Sequence, residues 1–218
     1  QLHVVCRRQR QMCIRDSGIS YEVIPIQACV DEMEQTLKSC FSGHSPNVAE
    51  ENIQSRIRGD ILMALSNKFG WMVLSTGNKT ELALGYCTLY GDMSGGLSVI
   101  SDLSKTDVYT LAHWINSKYP GRIPIGSIKK SPSAELAPNQ VDPFDYDIVS
   151  PLVDLIIEEG KTVIQLDKLG IDKELVNLVY QKIRVSEYKR RQAAPGLRVS
   201  TKAFGIGRRF PIVNHFKN

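Results

Sequence analysis

The residues Trp71–Ser75 form a short apolar run that leads directly into a turn and a polar segment. A run of this length, bounded by turn residues, is typical of a strand that is buried on both faces of a parallel sheet. The residues Thr76–Asn78 predict a tight turn, and Lys79–Tyr86 predict the start of a helix. A strand that passes through a turn into a helix is the unit from which parallel α/β folds are built.

Amphipathic segments on both sides of this unit predict helices. The residues Ile53, Ile57, Ile61 and Leu65 recur four apart, which predicts one long helix over about 47–68. The alternating residues 21–26 predict a second strand. Further helices are predicted at 105–118, 148–159, 161–168 and 172–192. The alternation of strands and helices therefore predicts an α/β fold with an open parallel sheet flanked by helices. The proline-rich segment 120–143 is predicted to be a long loop that is either functional or mobile.

The first 17 residues differ from the rest of the chain. Their four arginines and one aspartate supply three of the four net positive charges, so the remainder is almost neutral and lacks the electrostatic footprint of a nucleic-acid-binding domain. They show no periodicity and no apolar stretch of a secretory signal. We interpret residues 1–17 as a disordered or non-native leader and residues 18–218 as one domain.

Apolar runs and cysteine spacing exclude further classes. No run approaches the roughly 20 apolar residues of a membrane-spanning helix, so we expect no interaction with a membrane. The five cysteines form neither a CxxC pair nor a cluster with histidine, which argues against a zinc site or a disulfide framework. Reduced thiols favour a cytoplasmic protein.

The turn after the predicted strand is the best candidate for a ligand site. Ligands of open α/β sheets bind beyond the carboxyl ends of the strands, and the segment Ser75–Glu81 brings hydroxyls, a lysine and a carboxylate to a helix N-terminus there. The same segment also fits a capping box, in which Asn78 caps the helix and Glu81 reaches back. Spacing alone favours the cap.

Other candidates are weaker. Asn52 and Arg56 share one face of the long helix and are suited to line a cleft, although Arg56 is also four residues before Asp60, and a surface pair is the simpler interpretation. Lys105 opposes the dipole of the helix that it opens, which hints at a ligand, although a solvated lysine is commoner. The segment Glu187–Arg191 is interpreted as a solvated basic helix end.

Six segments together resemble NAD synthetase in order and spacing over residues 18–216. They are Glu51–Gly59, Leu74–Glu81, Tyr90–Met93, Lys105–Thr106, Lys130–Leu136 and Glu187–Gln192. The form they resemble most is the synthetase (ATP-pyrophosphatase) domain of the glutamine-dependent enzymes, which has an adenine nucleotide alpha hydrolase-like fold. The resemblance implies a ligase that amidates deamido-NAD to NAD. ATP adenylates the nicotinate carboxylate and releases pyrophosphate, and ammonia supplied from glutamine then displaces AMP.

The resemblance also implies roles for individual residues, with ATP and Mg²⁺ as cofactors. It assigns deamido-NAD to Asn52, Arg56, Glu81 and Lys189, ATP to Thr76, Lys105 and Ser133, Mg²⁺ to Glu81, and catalysis to Glu81 and Lys105. A glutaminase domain and further copies of the chain are the implied protein partners.

Two departures from the family pattern bear on the type of enzyme. Leu89 and Gly96 stand where the ammonia-dependent form has a lysine and an aspartate, which favours the glutamine-dependent form. The family's Ser-Gly-Gly-x-Asp-Ser pyrophosphate loop does not precede residue 21, and Ser94–Gly96 lacks its aspartate. The nitrilase-like glutaminase domain is also missing. We therefore expect a synthetase domain that is truncated at its N-terminus and does not make NAD alone.

Two alternatives stay open. In the first alternative, the chain is part of another N-type ATP pyrophosphatase amidotransferase, for example one that makes a purine nucleotide. In the second, it is a fragment that folds and assembles without catalysis. Asn52 and Arg56, as the expected deamido-NAD contacts, argue against the first alternative.

Overall fold

The computed structural model describes residues 20–137, 140–205 and 207–213. The predicted leader, residues 1–17, lies outside this part of the chain. The described residues group into two compact units. The first lies within Gln1–Ile57 and Tyr109–Pro143, and the second lies within Arg58–Val108 and Phe144–Asn218.

Helices dominate the described residues. They are α1 (Gln27–Leu37), α2 (Val48–Phe69), α3 (Lys79–Leu84), α4 (Lys105–Lys118), α5 (Ile125–Lys129), α6 (Tyr146–Ile157), α7 (Val163–Lys168), α8 (Lys173–Val185) and α9 (Glu187–Arg190). The predicted long helix corresponds to α2, and the predicted helix at 105–118 corresponds to α4. The helix predicted over 172–192 is divided at Ser186 into α8 and α9. None of these helices is long and apolar enough to cross a membrane.

The sheet of the described residues is small and parallel. Strand β1 (Leu74–Ser75) pairs with β2 (Leu97–Ser98), with Leu74 opposite Leu97. Ser98 also forms a parallel bridge to Gly196. The predicted α/β class and the parallel pairing are confirmed.

Two strand predictions are wrong in extent or in kind. The apolar run at 71–75 is not buried on both faces, because Trp71, Met72 and Leu74 are 61%, 68% and 51% exposed. Within the described residues, β2 is the one strand that pairs with β1, so little covers this run. Residues 21–26 form no strand, and they lead directly into α1.

The core of the second unit is built by α3, α6, α7 and α8. Fully buried aliphatic residues of α6 and α8 pack with Ala83 and Leu84 at the end of α3. Burying one such aliphatic side chain stabilises a fold by roughly 1.5–3 kcal/mol. The short helix α3, which has only six residues, is therefore held in place by tertiary packing rather than by its own helix propensity.

In the first unit, α2 buries Ile53 and Ile57, the first two members of the predicted apolar stripe. The predicted loop at 120–143 contains the short helix α5. The Gln54 side chain donates to the carbonyl of Leu136 at 3.1 Å, so hydrogen bonding joins this segment to α2.

Candidate active site

The turn after β1 ends in the predicted capping box. The Asn78 side chain accepts a hydrogen bond from the Glu81 amide at 3.0 Å, and the Glu81 carboxylate accepts one from the Asn78 amide at 3.1 Å. Thr76 lies before the cap and is exposed. The structural interpretation of Glu81 from the sequence is therefore confirmed, and it leaves Glu81 Oε1 for a second role.

That second oxygen meets Lys105. The Lys105 ammonium lies 2.9 Å from Glu81 Oε1, and both side chains are largely buried. Lys105 thus does not act as a solvated lysine at a helix start, because the Glu81 carboxylate offsets its unfavourable interaction with the α4 dipole. The structure brings together the two residues that the resemblance assigns to catalysis.

Backbone contacts hold the two helix starts against each other. The amide of Lys79 donates to the carbonyl of Leu103 at 2.8 Å, and the amide of Lys105 donates to the Thr80 hydroxyl at 3.1 Å. Thr80 is fully buried, and its hydroxyl also shares a hydrogen bond with Ser150 of α6. These contacts fix the backbone on both sides of the Glu81–Lys105 pair.

Lys189 acts at the other end of α3. Its ammonium donates to the carbonyls of Gly85 and Cys87, each at 2.7 Å. Gly85 ends α3 in the left-handed region at φ 67°, and a Cβ there would lie 2.0 Å from the Ser186 hydroxyl, so the position requires glycine. Two of the three ammonium donors therefore hold the loop that leaves α3.

Lys79 is the lysine that the sequence places among the groups of the predicted ligand site, and the structure buries it against carboxylates instead. Its side chain is 2% exposed. Its ammonium pairs with Asp154 of α6 at 2.9 Å and with Glu158, the residue directly after α6. Burial alone would lower the pKa of Lys79, but hydrogen bonds and charge attraction from both carboxylates outweigh burial and raise the pKa above its ordinary value. The signal in the sequence was the spacing of Asp154 and Glu158, two carboxylates four residues apart in a largely apolar segment, which indicates a cationic partner.

The prediction of a solvated helix end at Glu187–Arg191 is wrong for Glu187 and Arg190, although Tyr188 and Arg191 are exposed. Glu187 and Arg190 are 2% and 7% exposed, and Arg190 donates to Glu187 and to the carbonyls of Leu82 and Ala83. Arg190 also lies over the Phe204 ring at 4.5 Å. The segment therefore fastens α9 to the end of α3. A charged side chain can be buried when it is paired and hydrogen-bonded, and here Glu187 and the two carbonyls supply these partners to Arg190.

The remaining predicted residues belong to the first unit. Asn52 is half-buried and Arg56 is exposed, both on α2. The Ser133 hydroxyl donates to the carbonyl of Gln140 and accepts from the amide of Glu135, so it also stabilises a turn.

Within the part of the chain that the structure describes, no group of three or more His, Cys, Asp or Glu side chains is positioned to hold a metal ion. In nucleotide sites, Mg²⁺ keeps several waters and binds one or two carboxylates together with phosphates. Glu81 fits as one such ligand, because each carboxylate oxygen has a second lone pair beyond its bond to Asn78 or Lys105. The donor set thus fits Mg²⁺ that binds mainly through phosphate oxygens.

Comparison with known proteins gives one consistent family. The family model described as NAD synthase matches residues 7–193. The chain is 48% identical over 212 residues to the glutamine-dependent NAD(+) synthetase of Thermotoga maritima, a match that covers 95% of this chain and 37% of that protein. The chain thus spans little more than a third of the length of the curated relatives that it matches.

Solved structures agree with the sequence matches. The glutamine-dependent NAD+ synthetase from Acinetobacter baumannii in complex with ADP aligns with a TM-score of 0.53 and 42% identity, over 92% of this chain and 36% of that one. A glutamine-dependent NAD(+) synthetase from Cytophaga hutchinsonii aligns with a TM-score of 0.78 over 94% of this chain and 36% of that one. At 19% identity, the second alignment supports the fold alone.

Proposed function

The chain belongs to the NAD synthase family, and from that premise we propose that the full-length natural protein containing it amidates deamido-NAD to NAD, with ATP and glutamine as co-substrates. The observation that carries the proposal is the Glu81–Lys105 pair, which lies 2.9 Å apart at two helix starts beside the exposed Thr76. Charge neutralisation and positioning are what the adenylation of a carboxylate requires.

The proposed reaction has two steps. An oxygen of the nicotinate carboxylate attacks the α-phosphorus of ATP, and the bond to pyrophosphate breaks. Ammonia then attacks the carbonyl carbon of the adenylate, AMP leaves with its bonding electrons, and the nitrogen loses a proton. A carboxylate needs this activation because its own oxygen is a poor leaving group.

The residues of the second unit divide this work. Lys105 places a positive charge where phosphate oxygens become more negative, and the exposed Thr76 hydroxyl donates a hydrogen bond to ATP. Glu81 orients the Lys105 ammonium and is the residue that would hold Mg²⁺. When bound, Mg²⁺ supplies further neutralisation of phosphate charge. Lys189 holds the loop at Gly85 and Cys87 and offers its third donor to deamido-NAD.

The residues of the first unit complete the proposal. Asn52 and Arg56, four residues apart on α2, would contact deamido-NAD, and Ser133 would contact ATP. Ser133 already holds the turn at Glu135 and Gln140, so its ligand role would be additional to this structural one.

We also propose that the full-length protein works in the cytoplasm, with a glutaminase domain and as a homo-oligomer. The free thiols of Cys29, Cys40 and Cys87 support a reducing compartment. The exposed apolar residues Trp71 and Met72 support an assembly in which further protein covers β1.

The experiment that tests the proposal incubates the full-length natural protein with deamido-NAD, ATP, Mg²⁺ and either glutamine or ammonium. Mass spectrometry is expected to detect NAD and AMP in equal amounts with both nitrogen sources. A protein that amidates a purine nucleotide precursor instead, or that forms neither product, would contradict the proposal. The 218-residue chain, assayed in parallel with ammonium, is expected to form far less NAD.

A further inference from the structure

Residues 199–201, here named the tail clamp, donate hydrogen bonds to a buried carboxylate. The amides of Val199 and Ser200 donate to Asp102 Oδ2 at 2.8 and 2.7 Å, and the Ser200 hydroxyl donates to Asp102 Oδ1 at 2.8 Å. Asp102 is only 5% exposed. Both oxygens of this carboxylate are therefore bonded to one segment that lies almost a hundred residues later in the chain.

The next residue of the tail clamp donates hydrogen bonds to a second carboxylate. The Thr201 hydroxyl and amide donate to Glu158 Oε2 at 2.7 and 3.3 Å. The other oxygen of Glu158 bonds to the ammonium of Lys79. Three successive residues thus hold two carboxylates from two different parts of the second unit.

Both carboxylates are connected to the two helix starts of the candidate active site. Asp102 is followed directly by Leu103, whose carbonyl accepts a hydrogen bond from the Lys79 amide. Lys105 comes three residues after Asp102, and its amide donates to the Thr80 hydroxyl. Asp102 therefore restrains residues 103–105, which lead into α4 and contact the start of α3. Glu158 restrains the α3 side through Lys79.

We propose that Asp102 is a positioning residue, which fixes the Lys105 ammonium against Glu81 by anchoring the start of α4 to the tail clamp. Asp102 does not touch the expected substrates, and its relevance to catalysis rests on the proposed function. The physical reason is that removing the carboxylate leaves the amides of Val199 and Ser200 without their acceptor, which costs free energy and breaks the link between the tail clamp and residue 102. Leu103 and the residues that follow it are then free to shift. A displacement of about 1 Å at a reacting group is enough to lower a rate about a hundredfold.

The test compares Asp102→Ala with the conservative Asp102→Asn, whose amide oxygen still accepts the two backbone donors. A matched control is Asp172→Ala, because Asp172 also accepts two backbone amides, those of Glu174 and Leu175 at the start of α8. The control removes a carboxylate that also accepts two backbone amides, but at an exposed helix start that is not bonded to the start of α3 or α4.

The first readout is the reactivity of the Lys105 amine toward a limiting acetylating reagent, measured by mass spectrometry on the 218-residue chain. Asp102→Ala is expected to raise the reactivity about fivefold, because the Lys105 amine loses its ion pair with Glu81. Asp102→Asn and Asp172→Ala are expected to leave it near the unsubstituted value. Unchanged Lys105 reactivity in Asp102→Ala, or an equal rise in Asp172→Ala, would overturn the proposal.

The second readout is steady-state kinetics of the full-length natural protein. Asp102→Ala is expected to lower kcat about a hundredfold, while Asp102→Asn restores most of it and Asp172→Ala retains it. An unaltered kcat in Asp102→Ala would overturn the positioning role. If the unsubstituted protein forms no NAD, the proposed function fails, and the Lys105 labelling result still decides whether Asp102 positions this lysine.

Discussion

The ammonium of Lys105 lies 2.9 Å from the carboxylate of Glu81, although the two residues open different helices. Each residue alone has an ordinary structural interpretation, since Glu81 completes a capping box and Lys105 begins α4. Together they form a largely buried ion pair whose backbone is fixed on both sides by hydrogen bonds. This arrangement allows capping and catalysis to be separated by experiment.

Glu81→Gln is expected to separate the two roles of Glu81. The glutamine retains the cap, because Gln165 fills the same position of the capping box with Thr162 at the start of α7. It removes the charge opposite Lys105, so turnover of the full-length natural protein is expected to fall about 10²–10³-fold. NAD formation and the thermal midpoint are measured together. Gln165→Glu is the matched control, and equal turnover in both variants would contradict a catalytic role of Glu81.

Arg190→Lys is expected to destabilise the chain far more than Arg191→Lys. Both arginines pair with Glu187, but the Arg190 side chain is 2% exposed and the Arg191 side chain is 42% exposed. A lysine lacks the planar fork that reaches Glu187 and the backbone carbonyls at once, so the free energy of unfolding should fall by about 3 kcal/mol at position 190. The exposed pair is worth about 0–1 kcal/mol. Urea unfolding measures both, and equal losses would show that burial of Arg190 is not the cause.

The Lys79–Glu158 pair predicts two limits of pH stability. Burial would raise the pKa of Glu158, but hydrogen bonds from Lys79 and Thr201 lower it below its ordinary 4.5, so this contribution is complete above pH 4.5 and is lost as pH falls through the lowered pKa. The pKa of Lys79 is raised above 10.5, so its contribution is complete below pH 10.5 and is lost as pH rises through the raised pKa.

Glu158→Gln is the variant that tests the acid limit. The difference in unfolding free energy between the unsubstituted chain and Glu158→Gln should be constant at neutral pH and should shrink below pH 4.5. A difference that is independent of pH throughout would mean that Glu158 is not stabilised as an anion by Lys79 and Thr201. Thermal or urea unfolding over a pH series provides the measurement.

Cys87 is expected to react slowly with alkylating reagents. Burial raises the pKa of its thiol from 9.0 to about 12, which leaves about a thousandfold less thiolate at mildly alkaline pH. Cys29 and Cys40 are exposed and serve as internal controls in the same chain. Mass spectrometry of the labelled peptides gives the relative rates. Labelling of Cys87 as fast as Cys29 would show that the loop held by Lys189 opens readily.

Local rules account for the features that could be predicted from the sequence. The capping box at Asn78 and Glu81 needs only a three-residue spacing, and α4 begins and ends where the sequence predicts. The apolar period of α2 likewise predicts its length, because a helix repeats its own geometry along the chain. These features depend on residues within about one turn of each other.

Features that join distant segments could not be predicted in this way. The strand predicted at 21–26 is absent from the structure, since a strand exists only when a neighbour pairs with it. An arginine such as Arg190 is expected at the surface, but it is buried because it donates to carbonyls that lie more than a hundred residues earlier in the chain. The same holds for Lys79, whose partners are Asp154 on α6 and Glu158 directly after it.

The sequence by itself determined the family, the α/β class and most helices, because each of these is carried by residue types at fixed spacing, and it singled out Glu81 and Lys105 as candidate site residues. Only the tertiary structure decided that Glu81 and Lys105 form an ion pair and that Asp102 is bound by the tail clamp. Hydrogen bonds and ion pairs of this kind depend on separations of about 3 Å between atoms that the chain brings together only when its core is packed.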